Sequence, residues 1–69
     1  MNIPTFKEFY KVFIKHEYQE EYWYYLDFKI RYIKPAACYS IECKEDNFAP
    51  NNEFEMYGNI VSILENRIL

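Results

Sequence analysis

Glycine occurs once in this 69-residue chain, at Gly58. That scarcity excludes glycine-rich phosphate loops and the G-x-S-x-G nucleophile elbow, which need several glycines at fixed spacing. Histidine also occurs once, at His16, so the paired histidines of an H-E-x-x-H metal site cannot form. Cysteine occurs twice, at Cys38 and Cys43, without the short C-x-x-C spacing of structural zinc sites. Five strand residues span about 16 Å, against a Cα limit near 7 Å for a disulfide. The odd separation also points the two thiols to opposite faces of a strand. They are therefore read as packing residues, Cys43 buried beside Phe28 and Cys38 half-exposed, with no metal site and no cofactor expected.

Long apolar runs are missing as well. The longest, Tyr22-Trp23-Tyr24-Tyr25-Leu26, falls short of the roughly 7–15 apolar residues of a secretory signal and of the about 20 of a membrane span. The expected compartment is the cytoplasm, a host's cytoplasm if the chain is phage-encoded, and no membrane partner is expected. Basic residues are not in excess. The formal charge is −3, split as +1 over residues 1–34 and −4 over residues 35–69. A bulk attraction to nucleic acid is not expected from that balance.

What the chain does have is aromatic mass, 22% of its residues. A single domain over residues 1–69 buries a small share of its surface. Rings that each bury roughly 150–250 Å² offset that shortage. The abundance of Phe, Tyr, Met, Ile, Asn and Lys resembles translation from AT-rich DNA, as in a low-GC bacterium, a phage or a large virus.

Periodicity predicts the elements. Thr5 and Glu8 read as a capping box, in which each side chain satisfies a free backbone N–H. Phe6, Phe9, Tyr10, Phe13 and Ile14 then form the stripe of an amphipathic helix ending near His16, with Lys7, Lys11 and Lys15 on its far side. From Glu21 to Ile33 the period becomes two, which predicts one long strand. Tyr22, Tyr24, Leu26, Phe28, Ile30 and Tyr32 fall on its apolar face. Trp23, Tyr25, Asp27, Lys29, Arg31 and Ile33 fall on the other. A turn at Pro35-Ala36 leads into a second strand, Cys38 to Lys44. Pairing Ile30 with Ile41 and Tyr32 with Tyr39 also sets Lys29 against Glu42 and Asp27 against Lys44, whereas a one-residue slip sets charges against core residues. Glu45 to Asn51 reads as a loop. Asn52, with Glu55 at the third helical position, caps a last helix that carries Met56, Tyr57, Ile60, Val61, Ile63, Leu64 and Ile68 on one side. Gly58 inside it costs about 1 kcal/mol relative to Ala, so a short strand over Phe54 to Tyr57 is the competing reading. The fold expected is α+β in α-β-β-α order, an antiparallel hairpin with both helices packed on one face.

Catalytic parts are not visible. Cys–His catalysis would need His16 brought to a cysteine with an orienting third group, and the carboxylate pairs Glu20-Glu21 and Glu45-Asp46 read as solvated turns. The feature with functional content is the aromatic group Trp23, Tyr25 and Ile33, placed by the straight-strand reading on the charged face. Exposed aromatic patches mark interaction sites, and interface hot spots favour Trp and Tyr. The competing reading folds the first helix or the 45–52 loop over them. The leading expectation is a non-enzymatic protein-binding module, a phage or mobile-element inhibitor of a host protein such as a defence nuclease complex, in the manner of an anti-CRISPR. Trp23, Tyr25 and Ile33 would contact the partner, and Glu42, Glu45, Asp46, Glu53 and Glu55 would steer it. A homodimer through the aromatic strand edge is a further expectation. The alternative is a small nucleic-acid-binding protein using the lysine stripe and exposed aromatics.

Overall fold

Thr5 opens the first helix by the reciprocal cap its sequence suggests. Its hydroxyl accepts from the Glu8 N–H at 3.1 Å and the Glu8 carboxylate accepts from the Thr5 N–H at 2.9 Å. In the computed structural model, which describes residues 2–69, this helix is α1 (Phe6–His16). It is followed by β1 (Trp23–Tyr25), β2 (Phe28–Ile33), β3 (Cys38–Glu42), β4 (Asn47–Phe48) and α2 (Glu53–Ile68). The four strands form one antiparallel sheet in the order β1-β2-β3-β4. The fold is α+β, and the hairpin expected from sequence is its central pair.

The β2–β3 register is the one argued from charge and apolar matching. Lys29 lies across from Glu42, Ile30 from Ile41 and Tyr32 from Tyr39. Between the strands, Lys34–Ala36 make one tight 3₁₀ turn with Pro35 in its first positions, closed by the Ala37 N–H on the Lys34 carbonyl.

The single long strand predicted from Glu21 to Ile33 is broken. The chain turns back on itself at Leu26-Asp27, so that Tyr25 pairs with Phe28, Tyr24 with Lys29 and Trp23 with Ile30. A two-residue hairpin needs a positive φ at its first corner, and Leu26 supplies it at φ 55°. No glycine or asparagine marks the site, which is why the turn escapes a reading based on turn residues. Its consequence is large. In a straight strand even-numbered residues share a face throughout, whereas across this turn odd residues of β1 share a face with even residues of β2. Trp23 and Tyr25 therefore join the face of Phe28 and Ile30, while Tyr22 and Tyr24 leave it.

A smaller correction concerns the loop at 45–51. Residues 47 and 48 form β4, which sets Phe48 against Ile41 and Asn47 against Glu42. The competing strand over Phe54 to Tyr57 is replaced by helix. Asn52 caps α2 by accepting the Glu55 N–H at 2.9 Å, and Gly58 sits within the helix.

Both helices pack on the same face of the sheet. From α1, the Phe9 ring meets Tyr25 edge-on and Phe13 meets Tyr39. From α2, the Arg67 guanidinium lies over the Phe28 ring. Between the layers sits one core of Phe9, Phe13, Trp23, Phe28, Ile30, Tyr39, Ile41, Met56, Ile60, Ile63 and Leu64. Full burial of a Phe, Ile, Leu or Met side chain stabilises by about 1.5–3 kcal/mol, and eight of these eleven are below 2% exposed. Tyr57 ties α2 to the segment leading into α1 by donating its hydroxyl to the Pro4 carbonyl at 2.7 Å. No helix among the described residues is long and apolar enough to cross a membrane.

Candidate interaction surface

With both helices on one side, no helix among the described residues packs on the other side of the sheet. The pairings place Tyr24 of β1, Lys29, Arg31 and Ile33 of β2, Cys38, Ser40 and Glu42 of β3, and Asn47 of β4 on that side. Tyr22, just before β1, joins them. The Lys29 Nζ lies 4.1 Å above its ring centroid and the Arg31 guanidinium 5.2 Å. A cation over an aromatic face is held electrostatically by the ring quadrupole. Tyr24 is 63% exposed and Leu26, at the tip of the β1–β2 turn, 60%. The result is an aromatic and basic surface with an exposed leucine at one corner.

Trp23 is not on it. Trp23 is 5% exposed, and its indole stacks on the His16 ring at 4.6 Å. Its Nε1 is buried without a hydrogen-bond partner. The expectation of Trp23 as an exposed anchor is therefore corrected: the turn at Leu26-Asp27 carries it into the core. Tyr25 is half-buried against Phe9 on the same inner face, and that burial pushes its hydroxyl pKa upward. Ile33 does lie on the open face, half-buried across from Cys38. The two thiols are free and half-buried on opposite faces, and Cys43 donates its S–H to the Asp46 carbonyl rather than lying fully buried beside Phe28.

The acidic residues proposed to steer a partner do not form one patch. Glu42 alone lies on the open face, and its Oε2 is buried without a partner. Glu45 is held by Arg67 through both carboxylate oxygens, and the same guanidinium makes two hydrogen bonds to Asp27, at 2.9 and 2.8 Å. Those contacts depress the Glu45 pKa to about 2 and lower that of Asp27, with the Arg67 hydrogen bonds as the largest cause in each. Asp46 accepts the Asn47 N–H and shapes the turn into β4. Glu55 is engaged with Asn51 at the start of α2, next to half-buried Glu53. Arg67, and so Glu45, lies at the far end of that helix, about 20 Å away at 1.5 Å per residue. The five acids are thus dispersed, with Glu42 on the open face, Glu45 and Asp46 at the turn before β4, and Glu53 and Glu55 at the start of α2.

The lysine stripe is exposed as expected, with Lys7, Lys11 and Lys15 on the outer side of α1. It lies on the opposite side of the sheet from Tyr22 and Tyr24, so the stripe and the exposed sheet tyrosines cannot make one surface. A second aromatic group lies on the helical side, where Phe54, itself largely exposed, stacks on Phe6 and Phe6 on Tyr10. Sequence periodicity assigns Tyr10 and Ile14 to the core stripe, but both lie along one edge of it and are exposed, while Phe9 and Phe13 are fully buried. No group of three or more His, Cys, Asp or Glu side chains able to hold a metal ion occurs among the described residues.

Comparison with known proteins finds no matching family model, no matching curated protein and no matching solved structure. The functional reading therefore rests on geometry and chemistry.

Proposed function

We propose that the chain is a non-enzymatic protein-binding module acting as an inhibitor of a larger host protein, and that it binds through the open face of its sheet. The observation that carries this reading is the exposure of Tyr22 and Tyr24 together on the sheet face opposite the helices, beside Leu26, Ile33, Lys29 and Arg31. Tyrosine contributes large contact area with few rotatable bonds, and it is enriched among residues that dominate binding energy. The inhibitor class rests on the missing catalytic motifs and on the exposed aromatic surface. A phage or mobile element, with the host cytoplasm as its place of action, is the source we assign to such an inhibitor.

The experiment is capture of a partner from an extract of the native host by the tagged chain, with identification by mass spectrometry. The Tyr22→Ser/Tyr24→Ser double variant is expected to remain folded by circular dichroism and to lose that partner. Equal capture by parent and double variant would show that the partner is held elsewhere.

A further inference from the structure

We infer that the outer edge of β1 takes an extended, carboxylate-bearing protein segment as a fifth strand of the sheet. The inference rests on the protein-binding reading of the open face and adds the chemistry of the partner. Among the described residues, β1 pairs with β2 on one side and with no strand on the other. The backbone groups along such an edge are a ready template for another chain, and strand addition at a sheet edge is a recurring mode of peptide recognition. The opposite edge, β4, has two residues to the three of β1 and no cation leaning over it.

Charge identifies the occupant. Lys29 and Arg31 both lean over the Tyr22 ring, towards the β1 edge. Neither has a carboxylate within 4 Å, because the ion pairs among the described residues join Arg67 to Asp27 and to Glu45. Glu42, across from Lys29 in register, does not close that pair and keeps one buried oxygen without a partner. A segment lying along β1 sends alternate side chains onto the open face, beside Tyr22 and Tyr24 and within reach of the two cations. Carboxylates at those positions find unpaired positive charge. Apolar side chains further along meet Leu26, which the turn holds in solvent at a positive φ that a bulky residue adopts only under strain.

Two other occupants fit less well. A second copy paired edge to edge presents Trp23, Tyr24 and Tyr25 of its own β1, none of them a carboxylate, to Lys29 and Arg31. A nucleic-acid strand would find one ring face of Tyr22 already covered by those cations, and would meet Glu42 on the same surface. A protein segment can match each charge separately.

The test titrates isotope-labelled protein with an eight-residue peptide of alternating glutamate and valine, capped at both ends, and follows the backbone amide resonances. Shifts are expected to concentrate on Tyr22 to Leu26, Lys29 and Arg31. In the Lys29→Gln/Arg31→Gln double variant the affinity should fall by roughly tenfold or more, since the matched charges are gone. Should that variant not fold, the map on the parent protein decides alone. The inference is overturned if the peptide shifts no β1 amide, if the shifts fall on the lysine side of α1, or if a lysine–valine peptide binds equally well. It is also overturned if a short thymidine oligonucleotide moves the β1 amides more strongly, or if the protein alone shows the same shifts on concentration. Loss of native-partner capture in the Tyr22→Ser/Tyr24→Ser variant, with no peptide binding at β1, would leave the protein-binding surface standing and remove strand addition.

Discussion

Truncating Trp23 to alanine separates a core residue from a surface anchor. The indole is 5% exposed, stacked on His16 and paired across the sheet with Ile30. Removing a buried Phe or Trp side chain costs about 3–5 kcal/mol, through lost transfer energy and the cavity left behind. Domains are stabilised by roughly 0.05–0.15 kcal/mol per residue, which for a chain of this length is about 3–10 kcal/mol in all. Trp23→Ala is therefore expected to remove about a third of the stability or more, and to unfold a large fraction of the protein if the total lies at the low end. Trp23→Phe should cost much less. It keeps a ring in the site and removes the unpartnered indole N–H, whose burial costs roughly 1–3 kcal/mol. Urea denaturation followed by far-ultraviolet circular dichroism measures both, because Trp23 is the sole tryptophan and its fluorescence is lost with it. Tyr24→Ala is the control, and at an exposed position it should stay within about 0.5 kcal/mol of the parent. A Trp23→Ala protein with an unchanged urea midpoint would refute the placement of Trp23 in the core.

Three further outcomes follow from the structure. A Cβ added at Gly58 meets nothing within 4 Å, so Gly58→Ala should raise stability by about 1 kcal/mol through helix propensity, and a loss of stability in urea would contradict an open helical position there. Leu26→Gly should relieve a left-handed conformation that costs a non-glycine residue roughly 1–2 kcal/mol, less the roughly 0.5–1 kcal/mol entropy penalty of glycine, a net gain of about 0–1.5 kcal/mol, while weakening capture of the native partner; a lower urea midpoint would count against strain at this turn. Glu45 and Asp27 have depressed pKa values in the fold, so their stabilising contribution is present above the ordinary carboxylate range and is lost as pH falls, for Glu45 from 4.5 towards about 2; Arg67→Ala should flatten the stability–pH curve in that window, and an unaltered curve would rule out the bridge as its cause.

The parts of the fold that could be read from sequence are those set by local chemistry. Thr5 with Glu8 and Asn52 with Glu55 mark helix starts because a cap is a contact between near neighbours. The β2–β3 register was legible because apolar and charged pairs both penalise a slip. The β1–β2 turn was not legible. A two-residue hairpin ordinarily announces itself with Gly, Asn or Asp at its first corner, and here that corner is leucine, inside a run whose alternation continues unbroken. The misplacement of Trp23 and Tyr25 follows from that one missed turn, as does the neglect of Tyr22 and Tyr24. The idea of an exposed aromatic group on the sheet face opposite the helices therefore carries over to different residues. Glu45 is a different kind of miss. Its partner Arg67 is 22 residues away in sequence, and nothing local in the chain indicates that the end of α2 returns to the strand turns.

Nuclear Overhauser contacts around β1 test the reversal of faces most directly. The account predicts contacts from the Trp23 indole to the His16 ring and to Ile30, together with contacts from the Tyr24 side chain to Lys29 and none to either helix. A Trp23 indole without contacts to His16 or Ile30, with Tyr24 packed against α1 or α2 in its place, would contradict it. The open face would then belong to Trp23 and Tyr25, and the surface proposed here would be the wrong one.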